Sequence, residues 1–168
     1  MIRSFNGISP KIAPSAFVSE AAYVIGDVEI GENSSVWPGA VIRGDICKIV
    51  IGDSSSVEDN CVVHGATKIT IANNVIIGHG AVVHCKKIGS NVLIGNNATL
   101  LDGAEIGDSC IVGAGALVLS DTKVPSHSVV MGAPAEVKER VTKKQRDKIK
   151  QGSAFYAKLA QRYLEQGF

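Results

Sequence analysis

Three of the four histidines, His64, His79 and His84, fall within a 21-residue stretch, and Arg43, Asp45, Glu58 and Asp59 lie just before it. Three neutral imidazoles with a fourth position open are the ligand set of a catalytic zinc. Charged neighbours of such a set orient the rings and the solvent between them. The competing reading is a ladder of exposed histidines on surface strands, the ordinary fate of a polar residue there. Which one holds depends on whether the fold brings the rings together. His127 stands apart and reads as a solvated side chain.

The elements that would position these residues follow a six-residue period. Stepping by six gives Ile12, Val18, Val24, Ile30, Val36 and Ile42. The same step gives Ile51, Val57, Val63 and Ile69, then Ile71, Ile77 and Val83, then Ile88, Ile94, Leu100, Ile106, Val112, Val118, Val124 and Val130. Every position is Ile, Val or Leu. Four residues after the aliphatic a small residue recurs, as at Ala16, Ala22, Ser34, Ala40, Ser55, Cys61, Thr67, Ala98, Ala104, Cys110 and Ala116. Gly often follows the aliphatic directly, and Asn33, Asn74 and Asn97 mark turns that tolerate positive φ. Such a repeat describes a triangular prism: each hexad is a short strand and a corner, and three hexads close a coil of about 18 residues. Coils stack as parallel strands about 4.8 Å apart with the aliphatic inside. Residues 12 to 135 give about seven coils. The period does not set the hand of the coil, and crossovers between parallel strands are right-handed in nearly all folds.

Counting hexads places the chemistry. His64 follows inward Val63 and His84 follows inward Val83, 20 residues later, which is one coil plus a two-residue slip at 69–71. Arg43 follows Ile42 one coil earlier, with three residues inserted around 45–49. Arg43, His64 and His84 therefore form a column on one outer face. His79 lies two residues past inward Ile77, near a different corner. One prism does not readily converge it with the other two. Prisms packed side by side can, and a cyclic trimer would then carry three identical sites between chains. Cys85 adjoins His84, but strand alternation sends its side chain the other way. Cys61 and Cys110 occupy the small-residue register and read as packing.

The repeat ends at Val130-Met-Gly-Ala-Pro-Ala-Glu-Val137, and from Thr142 the period becomes helical. Ile149, Tyr156, Leu159, Ala160 and Tyr163 share a face, Thr142 reads as N-cap and Gly167 as the stop. Gly152 inside that stretch costs about 1 kcal/mol relative to Ala. The expected division is a β-helix with its lead-in over 1–137 and a helical segment over 138–168, packed on the prism or on a neighbouring subunit. The whole is one all-β domain with a C-terminal helix. Apolar residues make up 45% but aromatics only 5%, so the core must be aliphatic. With 17 basic against 16 acidic residues and no basic stripe, nucleic acid is not an expected partner. No apolar run is long enough to cross a bilayer and the start lacks the pattern of a secretory signal. The four cysteines form no CxxC pair, so free thiols in a reducing, cytoplasmic setting are expected.

Val41-Ile-Arg-Gly-Asp45, Ser56-Val-Glu-Asp-Asn-Cys-Val-Val-His64 and Ile77-Gly-His-Gly-Ala-Val-Val-His84 resemble the signature of the γ-class carbonic anhydrases, a hexapeptide-repeat family. The likeness runs from about residue 8 to the C-terminus. It implies a left-handed parallel β-helix, a homotrimer, and reversible hydration of carbon dioxide to bicarbonate. It implies a metal, zinc with iron or cobalt as alternatives, held by His64 and His84 of one subunit and His79 of its neighbour. By the same resemblance Arg43 and Asp45 match an intersubunit ion pair, Asp59 an acidic position at the metal-bound solvent, and Tyr156 a tyrosine that some relatives aim at the pocket.

The sequence departs from that pattern in places. Glu58 stands where the family has glutamine, and Ser56 where the prototype has asparagine. Ile46 follows Asp45 instead of a glutamate. His64 runs directly into Gly65-Ala66-Thr67, without the acidic loop that carries the prototype's proton-shuttling glutamate. Proton export then falls to Glu58 or to solvent. Two other functions stay open: a metal-bearing scaffold or accessory protein with little turnover, and a hexapeptide acyltransferase with one histidine as general base.

Overall fold

In the computed structural model, which describes all 168 residues, the hexads appear as strands of mostly two residues stacked in parallel. One face runs through Phe17–Val18, Ser35–Val36, Ser56–Val57, Ile76–Ile77, Leu93–Ile94 and Ile111–Val112 to Ser128–Met131. The other two faces belong to one hydrogen-bonded network, because Tyr23–Ile30 and Val41–Ile51 continue around the corner between them. The result is a β-helix of about seven coils, as the period predicts.

The pairings give the coil lengths. Val18 pairs with Val36, Val36 with Val57, Val57 with Ile77, Ile77 with Ile94 and Ile94 with Val112, steps of 18, 21, 20, 17 and 18 residues. The two long coils carry Arg43, Asp45 and His64, and His79 and His84 follow in the 17-residue coil. The three extra residues form a bulge opposite Gly26–Val28, where the register shifts.

The inward aliphatics from Val24 onward are buried in a single column, with Ile12 and Val18 half-buried at its open end. Cys61, Cys85 and Cys110 are buried and all four cysteines are free. Thr67 is not in the small-residue register: it is exposed, and Gly65 is the buried residue at that corner. The slip explains this, because Ile69 and Ile71 both turn inward and the preceding residues loop out. Asn33, Asn74 and Asn97 have φ near +56°, as expected of corner residues. The glycines that follow inward aliphatics have another cause. A Cβ on Gly95 would lie 2.4 Å from the Ala114 nitrogen of the next coil, so close stacking requires glycine there. His127 is not simply solvated either. It sits half-buried at a positive-φ corner, with Nδ1 shielded and without a hydrogen-bond partner.

After Met131 the chain reverses into an antiparallel strand, Glu136–Arg140, and the helix Lys143–Glu165 begins at a capping box between Thr142 and Gln145. The helix lies on the first face, against Phe17–Val18, Ser35–Val36, Ser56–Val57 and Ile76–Ile77. Gly152 lets the helix sit close to the sheet, since a Cβ would lie 2.8 Å from the Ile76 Cδ1 and that side-chain end would have to shift. Phe17, Trp37 and Tyr163 pack with ring centroids 5.1–5.3 Å apart, and Tyr156 meets Trp37 at 6.0 Å. Trp37 Nε1 donates to Ser35 and Ser56 Oγ, both at 3.0 Å, so Ser56 serves the helix and not the histidine face. No helix is long and apolar enough to cross a membrane.

Candidate metal centre

The register Ile42–Val63–Val83 places the residues that follow, Arg43, His64 and His84, on one outward column. The rings of His64 and His84 have centroids 5.3 Å apart at 61°. Arg43 donates to Asp45 Oδ2, and Asp45 Oδ1 faces His64 Nε2 at 3.3 Å. Neither of those two facing atoms makes a hydrogen bond of good geometry, and both are buried. Burial, then the Arg43 charge and the His84 ring, holds the His64 imidazole below the usual histidine range, against the opposing pull of Asp45. Burial opposes the charge on Asp45, but the hydrogen bond and charge of Arg43 outweigh it and keep the carboxyl below its usual range.

Asp45 stands on the bulge. Gly26, at φ +81°, passes so close to Gly44 that a Cβ would lie 2.3 Å from its carbonyl oxygen. Cys47 Sγ donates to Gly65 O at 3.2 Å, tying the bulge to the turn after His64. Ile46, at the tip, is exposed.

His79 lies elsewhere, at a corner, with its side chain 51% exposed. Glu58 and Asp59 stack one coil below, because Val57 pairs with Ile77. His79 Nε2 faces Glu58 Oε2 at 3.1 Å, and Nδ1 faces Asp59 Oδ2 at 3.0 Å. The His79 backbone N–H donates to the same Glu58 oxygen at 3.2 Å. Glu58 is only 4% exposed, and the Tyr156 hydroxyl of the helix meets its carboxyl. Burial, then the adjacent Glu58 and Asp59 carboxylates, pushes the Tyr156 phenol well above the usual tyrosine range.

One chain thus carries two separate histidine clusters, and no three His, Cys, Asp or Glu side chains converge within it to hold a metal. The column cluster fits a cation on two counts. His64 Nε2 is a shielded nitrogen without a partner. Two imidazoles sharing one tetrahedral ion at about 2.0–2.1 Å put their ring centres roughly 5 Å apart, close to the separation seen here. Sequence reasoning missed Asp102, whose Oδ1 lies 2.8 Å from His84 Nδ1. It lies one residue past Leu101, which stacks on His84 because Val83 pairs with Leu100, so the coil count stops short of it and gives no signal for it.

A family model described as "Bacterial transferase hexapeptide (six repeats)" matches residues 9–44 and 86–120. A protein from Methanocaldococcus jannaschii named "Probable carbonic anhydrase" is 45% identical over 89% of this chain and 96% of its own length. The Arabidopsis thaliana protein "Gamma carbonic anhydrase 2, mitochondrial" is 39% identical over 91% of the chain, which spans 58% of that relative's length. A crystal structure of a hexapeptide transferase family protein from Anaplasma phagocytophilum superposes with a TM-score of 0.93 at 32% identity, over 96% of this chain and 97% of the other.

Proposed function

The chain belongs to the γ-class carbonic anhydrase-like family of hexapeptide-repeat proteins, and on that premise we propose that it catalyses the reversible hydration of carbon dioxide to bicarbonate. In this reading the ion is zinc, with iron or cobalt as substitutes, and three identical sites form between the copies of a cyclic homotrimer. His64 and His84 of one copy and His79 of the next hold the metal. The observation that carries the reading is the buried, unpartnered Nε2 of His64 beside the His84 ring, on a column separate from His79 of the same chain. A reducing, cytoplasmic setting completes the reading, supported by four cysteines that stay unpaired.

A divalent cation with three neutral ligands lowers the pKa of water at its open position from roughly 15.7 to about 7, which supplies the nucleophile near neutral pH. The residues of the chain do the rest. Arg43 holds Asp45 ionised beside His64, which fixes the ring edge that faces the partner. Glu58, anchored by the His79 backbone N–H, presents an oriented carboxylate that can accept a hydrogen bond from the attacking water. The more exposed Asp59 hands a proton on to solvent. Tyr156 stays protonated and can donate to a product oxygen.

Stopped-flow hydration of carbon dioxide by zinc-loaded and iron-loaded protein tests this. The expected result is metal-dependent turnover that His64→Ala and His79→Ala each abolish. Turnover no greater than that of buffer, in protein with a full complement of metal, would overturn the assignment. It would favour a metal-bearing accessory protein, a reading supported by the turn after His64, where exposed Ala66, Thr67 and Lys68 carry no carboxylate. An acetyl-CoA-dependent activity that survives a strong chelator would move the protein to the transferases.

A further inference from the structure

We propose that Asp102 is the positioning residue for His84, holding one ring nitrogen so that the other points at the ion; this rests on the metal-centre reading above. The His84 Nδ1 to Asp102 Oδ1 distance of 2.8 Å is that of a charge-assisted hydrogen bond. A ring whose Nδ1 proton is engaged must leave the Nε2 lone pair free, so the contact selects the ligating tautomer. A carboxylate on the far nitrogen also makes the near one a better donor to a metal.

The backbone around Asp102 is well anchored. The Leu101 N–H bonds to Val118 O at 3.0 Å, the Ala104 N–H closes the corner on Leu101 O at 3.2 Å, and Asp102 O accepts from the Asp121 N–H at 2.9 Å. Gly103, at φ +73°, packs so tightly that a Cβ would lie 2.1 Å from Asp121 Oδ1. The carboxylate therefore springs from a fixed corner and reaches back one coil to the ring. His64 is served differently. Its Nε2 meets Asp45 without a well-formed hydrogen bond. The two rings of the column are thus held by unlike means, one by a bond to its far nitrogen and one by packing around its near nitrogen. The Asp102 side chain is 60% exposed, so the contact adds little to folding as a surface pair. Its value lies in what it does to the ring.

The test compares wild type, Asp102→Ala, Asp102→Asn and His84→Ala as intact assemblies. Zinc affinity is read by competition with a chromophoric chelator, the visible spectrum is recorded with cobalt bound, and melting is recorded on metal-stripped protein. Asp102→Ala should weaken zinc binding by about 10- to 100-fold, with an altered cobalt spectrum and unchanged melting of the stripped protein. Asp102→Asn, whose amide oxygen still accepts from Nδ1, should recover part of the affinity. Asp102→Ala with wild-type affinity, while His84→Ala has lost the metal, would overturn this proposal alone. A parallel fall in stripped-protein melting and in affinity, not relieved by Asp102→Asn, would make the role structural and overturn it too. His84→Ala binding zinc like the wild type would overturn the metal-centre reading and this inference with it.

Discussion

Mixing two inactive variants should restore activity, and the extent follows from the geometry. His79→Ala keeps the column half of the site, His64 and His84 at 5.3 Å, and loses the corner half. His64→Ala keeps the corner, where His79 meets Glu58 and Asp59, and loses the column. In a cyclic trimer each interface joins the column of one chain to the corner of the next. Any mixed trimer, two copies of one variant with one of the other, then has a single interface where an intact column meets an intact corner. With equal, random exchange about three quarters of trimers are mixed, so about one quarter of all sites return. Differently tagged chains allow mixed trimers to be isolated, and metal content and hydration rate are measured on them. Both should recover to about one third of wild type in the isolated mixed trimers. A control fixes the assignment of halves: His64→Ala/His84→Ala should complement His79→Ala equally well, whereas His79→Ala/His84→Ala should not complement His64→Ala. Mixed trimers that stay as empty as the parents would refute the shared site, since a site built within one chain is never repaired by its neighbour.

Other consequences are more local. Trp37→Ala removes the ring that Phe17, Tyr156 and Tyr163 pack on, together with two hydrogen bonds, and should cost about 3–5 kcal/mol in denaturant unfolding. A loss under about 1 kcal/mol would mean that the helix is held elsewhere. Gly26→Ala forces a side chain into a positive φ against Gly44, and should cost roughly 2–4 kcal/mol. It should also lower metal retention, because the bulge carries Asp45. Burial pushes the Cys61 thiol up to about 11 and the Cys85 thiol up to about 12, and raises Cys110 as well. Burial raises the Cys47 thiol too, but Cys47 alone is half-buried, so a thiol reagent at mildly alkaline pH should reach only Cys47 in the folded protein, slowly, and all four thiols after unfolding.

Much of this was legible in the sequence because the fold is one-dimensional. A side chain six residues on faces the same way, so an unbroken run of Ile, Val and Leu specifies the core. Counting then places Arg43, His64 and His84 on one column without coordinates. The count failed where the period does. Between Val63 and Ile69 the small-residue rule put Thr67 inside, but a two-residue slip is absorbed by looping out, and Gly65 takes the corner instead. The setting of Glu58 was beyond the count as well. The side chain is buried where Tyr156 of the helix, an element outside the repeat, meets it, and its Oε2 accepts from the His79 backbone N–H. Gly152 looked like a defect by helix propensity alone, and only the contact with Ile76 shows what the missing side chain makes room for.

The irregular coils carry the functional argument. A uniform 18-residue coil would continue Gly26–Val28 into Gly44 and beyond with no side chain diverted, as the later turns of this prism do. The steps of 21 and 20 residues occur where Arg43, Asp45 and His64 stand, and nowhere in the coils above Ile94. The first lifts Asp45 over the face to meet Arg43 and His64. The second loops out the turn after His64 that Cys47 ties back to the bulge. Neither insertion extends the aliphatic core, and each exposes chain that must be ordered at a cost in conformational entropy of about 1–2 kcal/mol per residue. An unpartnered buried nitrogen on His64 adds to that cost. Loading the protein with zinc should therefore raise its melting temperature with a dependence on metal concentration, as binding to the folded state alone requires. The same titration on His64→Ala should leave the melting temperature flat. A variant that melts in step with the wild type at every zinc concentration would show that the two irregular coils serve something other than an ion.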